Sequence, residues 1–311
     1  MEGEKTTTGA ASMGVGVATH EELSEGQKRF ALGLVGFSHT LNHLQWGVTS
    51  VLYPAMMTDL GFGFLELGFL AAVSSVMSGL QVIWGILAGF MKRTVILALG
   101  NLLLSISSLL HAFLGSYAQL VGVRLFNSAA SSPQHPIGSS LLSRIFPKSR
   151  GFALTFHYTA GGVGSFVAPA LASLLLLYMG WRSVFVVLAL PTLALSLFLF
   201  FLKDKTVDSM GVNGKRKAAR ASLNAYLQCL KNRNILLVSL VLMVGAAGRG
   251  TGINMTYLVP FFMNKYQVSA SAAGLLLALM QGAGLLGPLL IGWLSDRYWR
   301  RTAILQSTLL L

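Results

Sequence analysis

The sequence predicts an all-α membrane protein of two six-helix bundles, the second incomplete. Three observations carry that expectation. Of 311 residues, 54% are hydrophobic and 11% charged, and mean hydropathy is +0.66, a composition that a fully water-exposed surface does not sustain. Apolar runs of about 20 residues or more, the length needed to cross a bilayer, recur from residue 30 onward. Between the sixth and seventh runs lies a polar stretch, 203–233, carrying Lys203, Lys205, Lys215, Arg216, Lys217, Arg220, Lys231 and Arg233.

In chain order, residues 1–27 are rich in Thr, Gly and Ala and then acidic at Glu21, Glu22 and Glu25. They lack the apolar core of a signal peptide or a span. A mobile tail is expected there, with a short interfacial helix ending at Lys28 and Arg29. Spans follow at 30–57, 65–90, 94–114, 119–146, 151–179 and 182–202, so that 28–202 forms the first bundle. After the 203–233 linker, spans at 234–263 and 270–295 and a ninth beginning at Thr302 give a partial second bundle over 234–311. About eight spans and the start of another are thus expected. The rest of a second bundle would lie beyond Leu311, so the sequence reads as a truncated product or a fragment.

Loop charges set the orientation. The net charge of +13 and isoelectric point near 10.2 would point to nucleic acid in a soluble chain. Here the cations sit in short loops, so no nucleic-acid partner is expected. Lys5, Lys28, Arg29, Lys92, Arg93, Arg144, Lys148, Arg150, the eight linker cations, Arg297, Arg300 and Arg301 fall on one side, and only Arg182 and Lys265 on the other. The excess places the amino terminus and 203–233 in the cytoplasm of a multi-pass plasma (inner) membrane protein, expected to be a monomer in the bilayer.

Enzyme chemistry finds no support. Asp-rich clusters that would hold a metal and diphosphate are missing, and Ser139 and Ser165, each following Gly, read as serines at small-residue contacts in spans, where a nucleophile would need a matched histidine. The single Cys229 gives neither a disulfide framework nor a thiolate metal site. No cofactor and no metal are expected.

Inside the spans the charge is of one sign. Arg124 and Arg249 lie within apolar runs, and no Asp or Glu does. On the first span Ser38, His39, Asn42, His43, Gln45, Trp46 and Thr49 recur at three- and four-residue intervals, which crowds them onto a face that cannot meet lipid. His43 and Arg249 lie about 20 Å into their helices, near the midplane. An arginine there costs at least ~2.5 kcal/mol and stays charged, so it needs a cavity, water or an anion. The candidate substrate-binding residues are therefore Arg249, His43, His39, Asn42, Trp46 and Arg124. Backbone carbonyls, or a carboxylate beyond Leu311, are the alternative partners of Arg249. Arg124, about five residues inside its span, either faces the cavity or snorkels outward. With no carboxylate in the spans, proton coupling falls to His39, His43, His135 or His157, the side chains that titrate near neutral pH. His111 reads as structural.

An internal repeat relates the two halves. A shift of 206 places Pro54 on Pro260, Asp59 on Lys265, Gly68 on Gly274 and His43 on Arg249, and a shift of 208 places Lys92, Arg93 and Thr94 on Arg300, Arg301 and Thr302. Duplicated bundles joined by a basic loop are the plan of a transporter whose halves rock about a central site.

The run Gly292, Trp293, Leu294, Ser295, Asp296, Arg297, Tyr298, Trp299, Arg300, Arg301 resembles the signature Gly-x-Leu-Ala-Asp-Arg-x-Gly-Arg-Arg/Lys of the major facilitator superfamily, with Trp299 where Gly is expected. The equivalent loop of the first half keeps Gly89, Lys92 and Arg93 but lacks the Asp-Arg pair. Arg124, Asn127 and Ser128 are similar to the family's Arg-x-x-Gln-Gly motif with two substitutions. Gly161, Gly162 and Gly164 followed by Ala168 and Pro169 resemble the antiporter glycine-proline motif in degenerate form. The region around Pro136 and 144–150 is similar to the fosmidomycin-resistance and related drug or organic-anion branch. The resemblance implies two six-helix bundles with inverted repeats and a gating contact built from Gly292, Asp296, Arg297, Arg300 and Arg301. It implies secondary active transport by alternating access of a small anionic solute or drug, with efflux by proton antiport read first. Uptake or exchange of a carboxylate or phosphorylated metabolite is the alternative, as is an inactive truncated product.

Overall fold

The computed structural model describes residues 23–202, 227–248 and 253–297. Its helices are α1 (Glu25–Leu60), α2 (Phe64–Ser78), α3 (Gln81–Leu87), α4 (Arg93–His111), α5 (Tyr117–Ser131), α6 (Gln134–Ile145), α7 (Arg150–Leu175), α8 (Trp181–Phe201), α9 (Arg233–Gly248), α10 (Ile253–Tyr266) and α11 (Ala270–Arg297). Among the described residues there is no strand.

α1 begins on a capping box. The Ser24 hydroxyl accepts from the Gln27 amide at 3.2 Å, and the Gln27 side chain accepts from the Ser24 amide at 3.0 Å, satisfying two orphan donors of the first turn. The helix ends at Gly61, whose φ of 66° is the left-handed conformation that glycine adopts without a Cβ penalty. Lys28 and Arg29 therefore lie in the opening turns of α1 and do not end a separate interfacial helix as the sequence led us to expect. Lys28 pairs with Glu25 at 2.8 Å.

The apolar runs become helices, some in two pieces. The expected second span is divided into α2 and α3 around residues 79–80, and the fourth into α5 and α6 around 132–133. Pro133 offers no amide to the preceding turn, which explains the second break. Four stretches among the described residues are long and apolar enough to cross a membrane: Phe64–Leu87, Arg93–His111, Arg150–Leu175 and Trp181–Phe201. The 36-residue α1 is not among them, because its polar stripe lowers its hydropathy. That stripe is buried in protein, with Ser38, His39, Asn42, Gln45 and Thr49 each less than a tenth exposed.

α1 is the axis of the assembly. It packs along α7 and also meets α4, α6, α8, α10 and α11, while α4 lies on α8 and α11 on α7. Close approach of α1 and α7 depends on Gly164, where a Cβ would collide with the carbonyl of Thr40. In lipid, apolar side chains gain nothing by leaving water, so such small-residue contacts and tight packing supply the association energy.

Two hydrophobic clusters sort the helix ends. One gathers Met56, Phe62, Leu114, Trp181, Val259 and Leu277, the other Leu32, Ala88, Leu97, Leu142, Ala153 and Leu199. The first lies at the end where Asp59 and Arg182 pair, and the second where Lys92 caps α4 and Arg93 begins it. The Asp59 carboxylate holds Arg182 and accepts from the Trp181 indole at 3.3 Å, while Arg182 also donates to the Leu114 carbonyl at 2.6 Å. This knot ties the ends of α1, α4 and α8. At the same end α10 and α11 are fastened to the first six spans: Tyr257 donates to the Phe64 carbonyl at 2.9 Å and Ser271 to the Ser173 carbonyl at 3.1 Å.

Candidate functional site

The polar face of α1 resolves into two neighbouring stripes. Ser38, Asn42, Gln45 and Thr49 follow one i, i+4, i+7, i+11 track, and His39, His43, Trp46 and Ser50 follow the track one residue on, turned by about 100°. The first stripe is hydrogen-bonded across the bundle interior. Ser38 donates to Gln134 Oε1 at 2.9 Å and accepts from Asn101 at 2.8 Å, and Asn42 reaches the Ser131 carbonyl at 3.3 Å. Gln45 donates to Thr192 at 2.7 Å and accepts from Ser108 at 2.9 Å. Each of these buried side chains has at least one partner, as desolvation requires, although Asn101 Oδ1 and Gln134 Nε2 stay unpaired.

The second stripe assembles histidines from three helices. The imidazoles of His39 and His43 lie 4.6 Å apart between ring centroids, His39 and His135 4.8 Å, and His43 and His135 5.5 Å, while His157 stacks on His39 at 4.1 Å. Room for the cluster comes from a missing side chain, since a Cβ on Gly161 would stand 2.7 Å from His39 Cε1. His39 Nδ1 is 2.7 Å from the His157 carbonyl, and His43 Nδ1 is 2.9 Å from the Ser165 hydroxyl. A carbonyl only accepts, so Nδ1 of His39 carries the proton and its Nε2 presents a lone pair. That Nε2 is buried with no hydrogen-bond partner, as are both ring nitrogens of His157. His111 stands apart, stacked on Phe185 at 4.0 Å and bonded to the Ser107 carbonyl at 2.8 Å.

Two cavities border this stripe. One of about 210 Å³ is lined by Asn42, His43, Trp46, His135, Ser165 and Gln281, among others. The second, of about 300 Å³, is lined by Trp46, Tyr53, Ser74, Arg124, Thr256 and Tyr257, among others. Trp46, Ser50 and Met255 belong to both, so the cavities adjoin, with walls from α1, α10 and their neighbours.

Arg124 does not snorkel. It is 4% exposed, with one guanidinium nitrogen, Nη1, 3.3 Å from the Thr49 hydroxyl and 3.4 Å from Asn127 Oδ1. Its Nε is buried without a hydrogen-bond partner. Among the described residues it has no carboxylate: Glu25 pairs with Lys28, Asp59 with Arg182, and Glu66 caps the amide of Gly63. A guanidinium beside a cavity can pair with a planar or tetrahedral oxyanion.

Of the six residues expected to bind substrate, Asn42, His43, Trp46 and Arg124 line these cavities, and His39 lies behind them in the histidine cluster. Arg249 lies outside the described residues. Of the four proton-coupling candidates, His39, His43, His135 and His157 all fall in one cluster. Gly292, Asp296 and Arg297 lie in α11, and Arg300 and Arg301 lie outside the described residues. Sequence reading missed Ser131, Ser165, Met255, Thr256 and Gln281 as cavity residues. Isolated hydroxyls and one amide on apolar helices were the available signal, and it does not say which helices meet.

A family model described as Major Facilitator Superfamily matches residues 35–311. Among curated proteins the chain is 24% identical over 276 residues to the probable L-galactonate transporter of Escherichia coli, covering 86% of this chain and 61% of that protein. It is 29% identical to the probable 4-methylmuconolactone transporter of Cupriavidus pinatubonensis, over 83% and 61% respectively, and 23% identical to the probable sulfoacetate transporter of Cupriavidus necator, over 90% and 67%. The chain thus spans 61% of the length of the first two relatives. Among solved structures, the fold matches a bacterial homologue of the human lysosomal transporter Spinster in an inward-facing, unoccupied conformation. The TM-score is 0.71 at 19% identity, covering 90% of this chain and 64% of that one.

Proposed function

Because the chain belongs to the Major Facilitator Superfamily, we propose that it is the part of a secondary active transporter that carries a small organic anion by alternating access. The observation that carries this reading is Arg124, a buried cation with an unpartnered Nε on a cavity wall and no carboxylate among the described residues. An anion's oxygens, received by the guanidinium fork, would supply the missing acceptors and offset a charge that is costly in a membrane interior. Arg249, which the internal repeat pairs with His43, is the second cation of the proposed site. The names of two relatives, galactonate and sulfoacetate, are those of organic anions, which supports the same class of solute here.

Proton coupling is proposed through the clustered imidazoles of His39, His43, His135 and His157. Movement of a proton there changes the charge of the wall that faces the solute. The direction expected from the glycine-rich stretch of α7 has a simpler explanation, since Gly161 and Gly164 are needed for contact with His39 and Thr40. The reading therefore covers uptake and export alike. It keeps the proposed arrangement of a first bundle over 28–202, a cytoplasmic loop over 203–233 and a second bundle from 234, in the plasma membrane, as a monomer.

The test is transport in proteoliposomes under an imposed pH gradient, with sugar acids, sulfonates and aromatic carboxylates compared against neutral and cationic solutes. Anion-selective flux that follows the sign of the gradient and is lost in Arg124→Gln is expected. Equal flux of neutral solutes, or an undiminished Arg124→Gln variant, would reject the anion site.

A further inference from the structure

We propose that His39, His43 and His135 form a binding site for one divalent transition-metal ion of the zinc, cobalt or nickel type, open at its fourth position to the adjoining cavity. With neither thiolate clusters nor acidic motifs, the chain carries no local metal-binding pattern. Three side chains distant in sequence make the case once α1 and α6 are packed together.

The geometry supplies the ligands. One ring nitrogen from each of the three histidines lies within 4.8 Å of the others. A tetrahedral ion with bonds of about 2.0–2.1 Å needs nitrogens roughly 3.3 Å apart. Closing the remaining gap of up to about 1.5 Å asks for small rotations of the imidazoles about their broad terminal torsion. His39 and His43 are four residues apart on α1 and so project from the same face, an arrangement that recurs in zinc sites. His135 approaches from α6 across the bundle.

The outer contacts are those of ligating histidines. A metal-bound imidazole usually gives its other nitrogen to a carbonyl or another oxygen, which fixes the tautomer and aims the lone pair. His39 does this through Nδ1 to the His157 carbonyl at 2.7 Å, and His43 through Nδ1 and the Ser165 hydroxyl at 2.9 Å. The consequence is visible at His39, which is 1% exposed with an Nε2 that has no partner. A buried lone pair left without a donor is costly, and a metal ion would satisfy it.

The donor set selects the ion. Three neutral imidazoles without carboxylate favour borderline transition metals and disfavour magnesium and calcium, which require oxygen ligands. Three protein ligands with a fourth position left to solvent or an anion describe an exchangeable site, in contrast to a closed structural one. His43 and His135 both line the 210 Å³ cavity, which supplies that opening. The inference does not depend on which solute the protein carries, but an ion bound here competes with protons for these imidazoles, so it would replace the coupling role proposed for His39, His43 and His135.

The experiment uses the purified protein without a polyhistidine tag, in a His20→Ala background so that the histidine of the amino-terminal tail does not contribute. Titration with Co²⁺ should show one ion per chain with the visible absorption of a four-coordinate site. His135→Ala and His43→Gln should weaken binding at least 10-fold, and Ser165→Ala, which leaves every imidazole in place, by about 10-fold. His111→Gln, outside the cluster, should bind as the parent. X-ray absorption of the zinc-loaded parent protein should count three imidazole ligands, which keeps the test independent of how the variants fold. Absence of saturable binding, equal affinity in a monodisperse His135→Ala protein, or fewer than three imidazoles around zinc overturns the proposal.

Discussion

The guanidinium of Arg124 on α5 reaches the hydroxyl of Thr49 on α1 at 3.3 Å, which holds an intramembrane cation against the helix that carries the histidines. Thr49 is itself oriented, donating to the Gln45 carbonyl at 3.0 Å. Arg124→Gln removes the charge and should lower anion transport by about 10- to 100-fold, the loss of one charge-assisted contact. Arg124→Lys keeps the charge without the fork and should fall between the two. Initial uptake rates in proteoliposomes at matched protein incorporation read the difference.

Gln45 is predicted to matter for stability. Its amide bridges Thr192 and Ser108, both buried. Gln45→Leu strands the Ser108 hydroxyl in an apolar interior, while Thr192 keeps its bond to the Leu188 carbonyl at 3.2 Å, and should cost about 1–3 kcal/mol. A lower midpoint in a detergent thermal melt is expected; an unchanged midpoint would mean that the Ser108 hydroxyl finds another acceptor.

Two glycines two residues apart should behave differently. A Cβ at Gly164 meets the Thr40 carbonyl, which belongs to the backbone of α1 and cannot retreat. At Gly162 the nearest atom is the end of the Leu285 side chain, at 2.8 Å, which rotates away. Gly164→Ala should therefore reduce the yield of monodisperse protein, while Gly162→Ala should be recovered close to parental levels by size-exclusion chromatography.

The Asp59–Arg182 pair should add little to stability. Its side chains are 45% and 38% exposed, and solvent screens such pairs to about 1 kcal/mol or less. Asp59→Asn should leave the melting midpoint nearly unchanged and make it less sensitive to salt. A large drop in midpoint would show that the carboxylate's bond to the Trp181 indole carries more than the ion pair does.

Tyr257 fastens α10 to the start of α2 through the Phe64 carbonyl. Tyr257→Phe keeps the ring against Phe64 and removes the hydrogen bond, so it should loosen this end of the contact between the halves. In a Cys229→Ser background, a thiol placed at Ala71 beside the Arg124 cavity should react faster with a water-soluble maleimide in Tyr257→Phe than in the parent. Equal reactivity would assign the closure to the surrounding apolar cluster.

Much of this fold was legible because membrane helices advertise themselves by length and hydropathy. The breaks were partly readable: Pro133 marks the division of α5 from α6, whereas nothing in Gly79 and Leu80 distinguishes a break from a small-residue contact. Periodicity found the polar side of α1 but treated Ser38 and His39 as neighbours on one face. They serve opposite purposes, since adjacent residues on a helix point about 100° apart. His135 and His157 stood as proton-coupling candidates on separate helices, and their meeting with His39 depends on how α6 and α7 approach α1, which no local pattern records. Arg124, about five residues inside its span, left a cavity wall and a path to water both open, and the choice between them rests on Thr49 and Asn127, which hold its guanidinium inside.

The paired stripes of α1 also limit how its sequence can change over time. Because the interior track and the cavity track differ by one position, inserting or deleting a single residue between 38 and 49 would turn the helix beyond that point by about 100° and carry both tracks off their partners. An insertion would bring hydroxyls and amides toward the cavity, and a deletion would press imidazoles and indole into α4 and α8. Replacement in place is the permitted kind of variation along this stretch, and changes of length are confined to the segments beyond the helix ends.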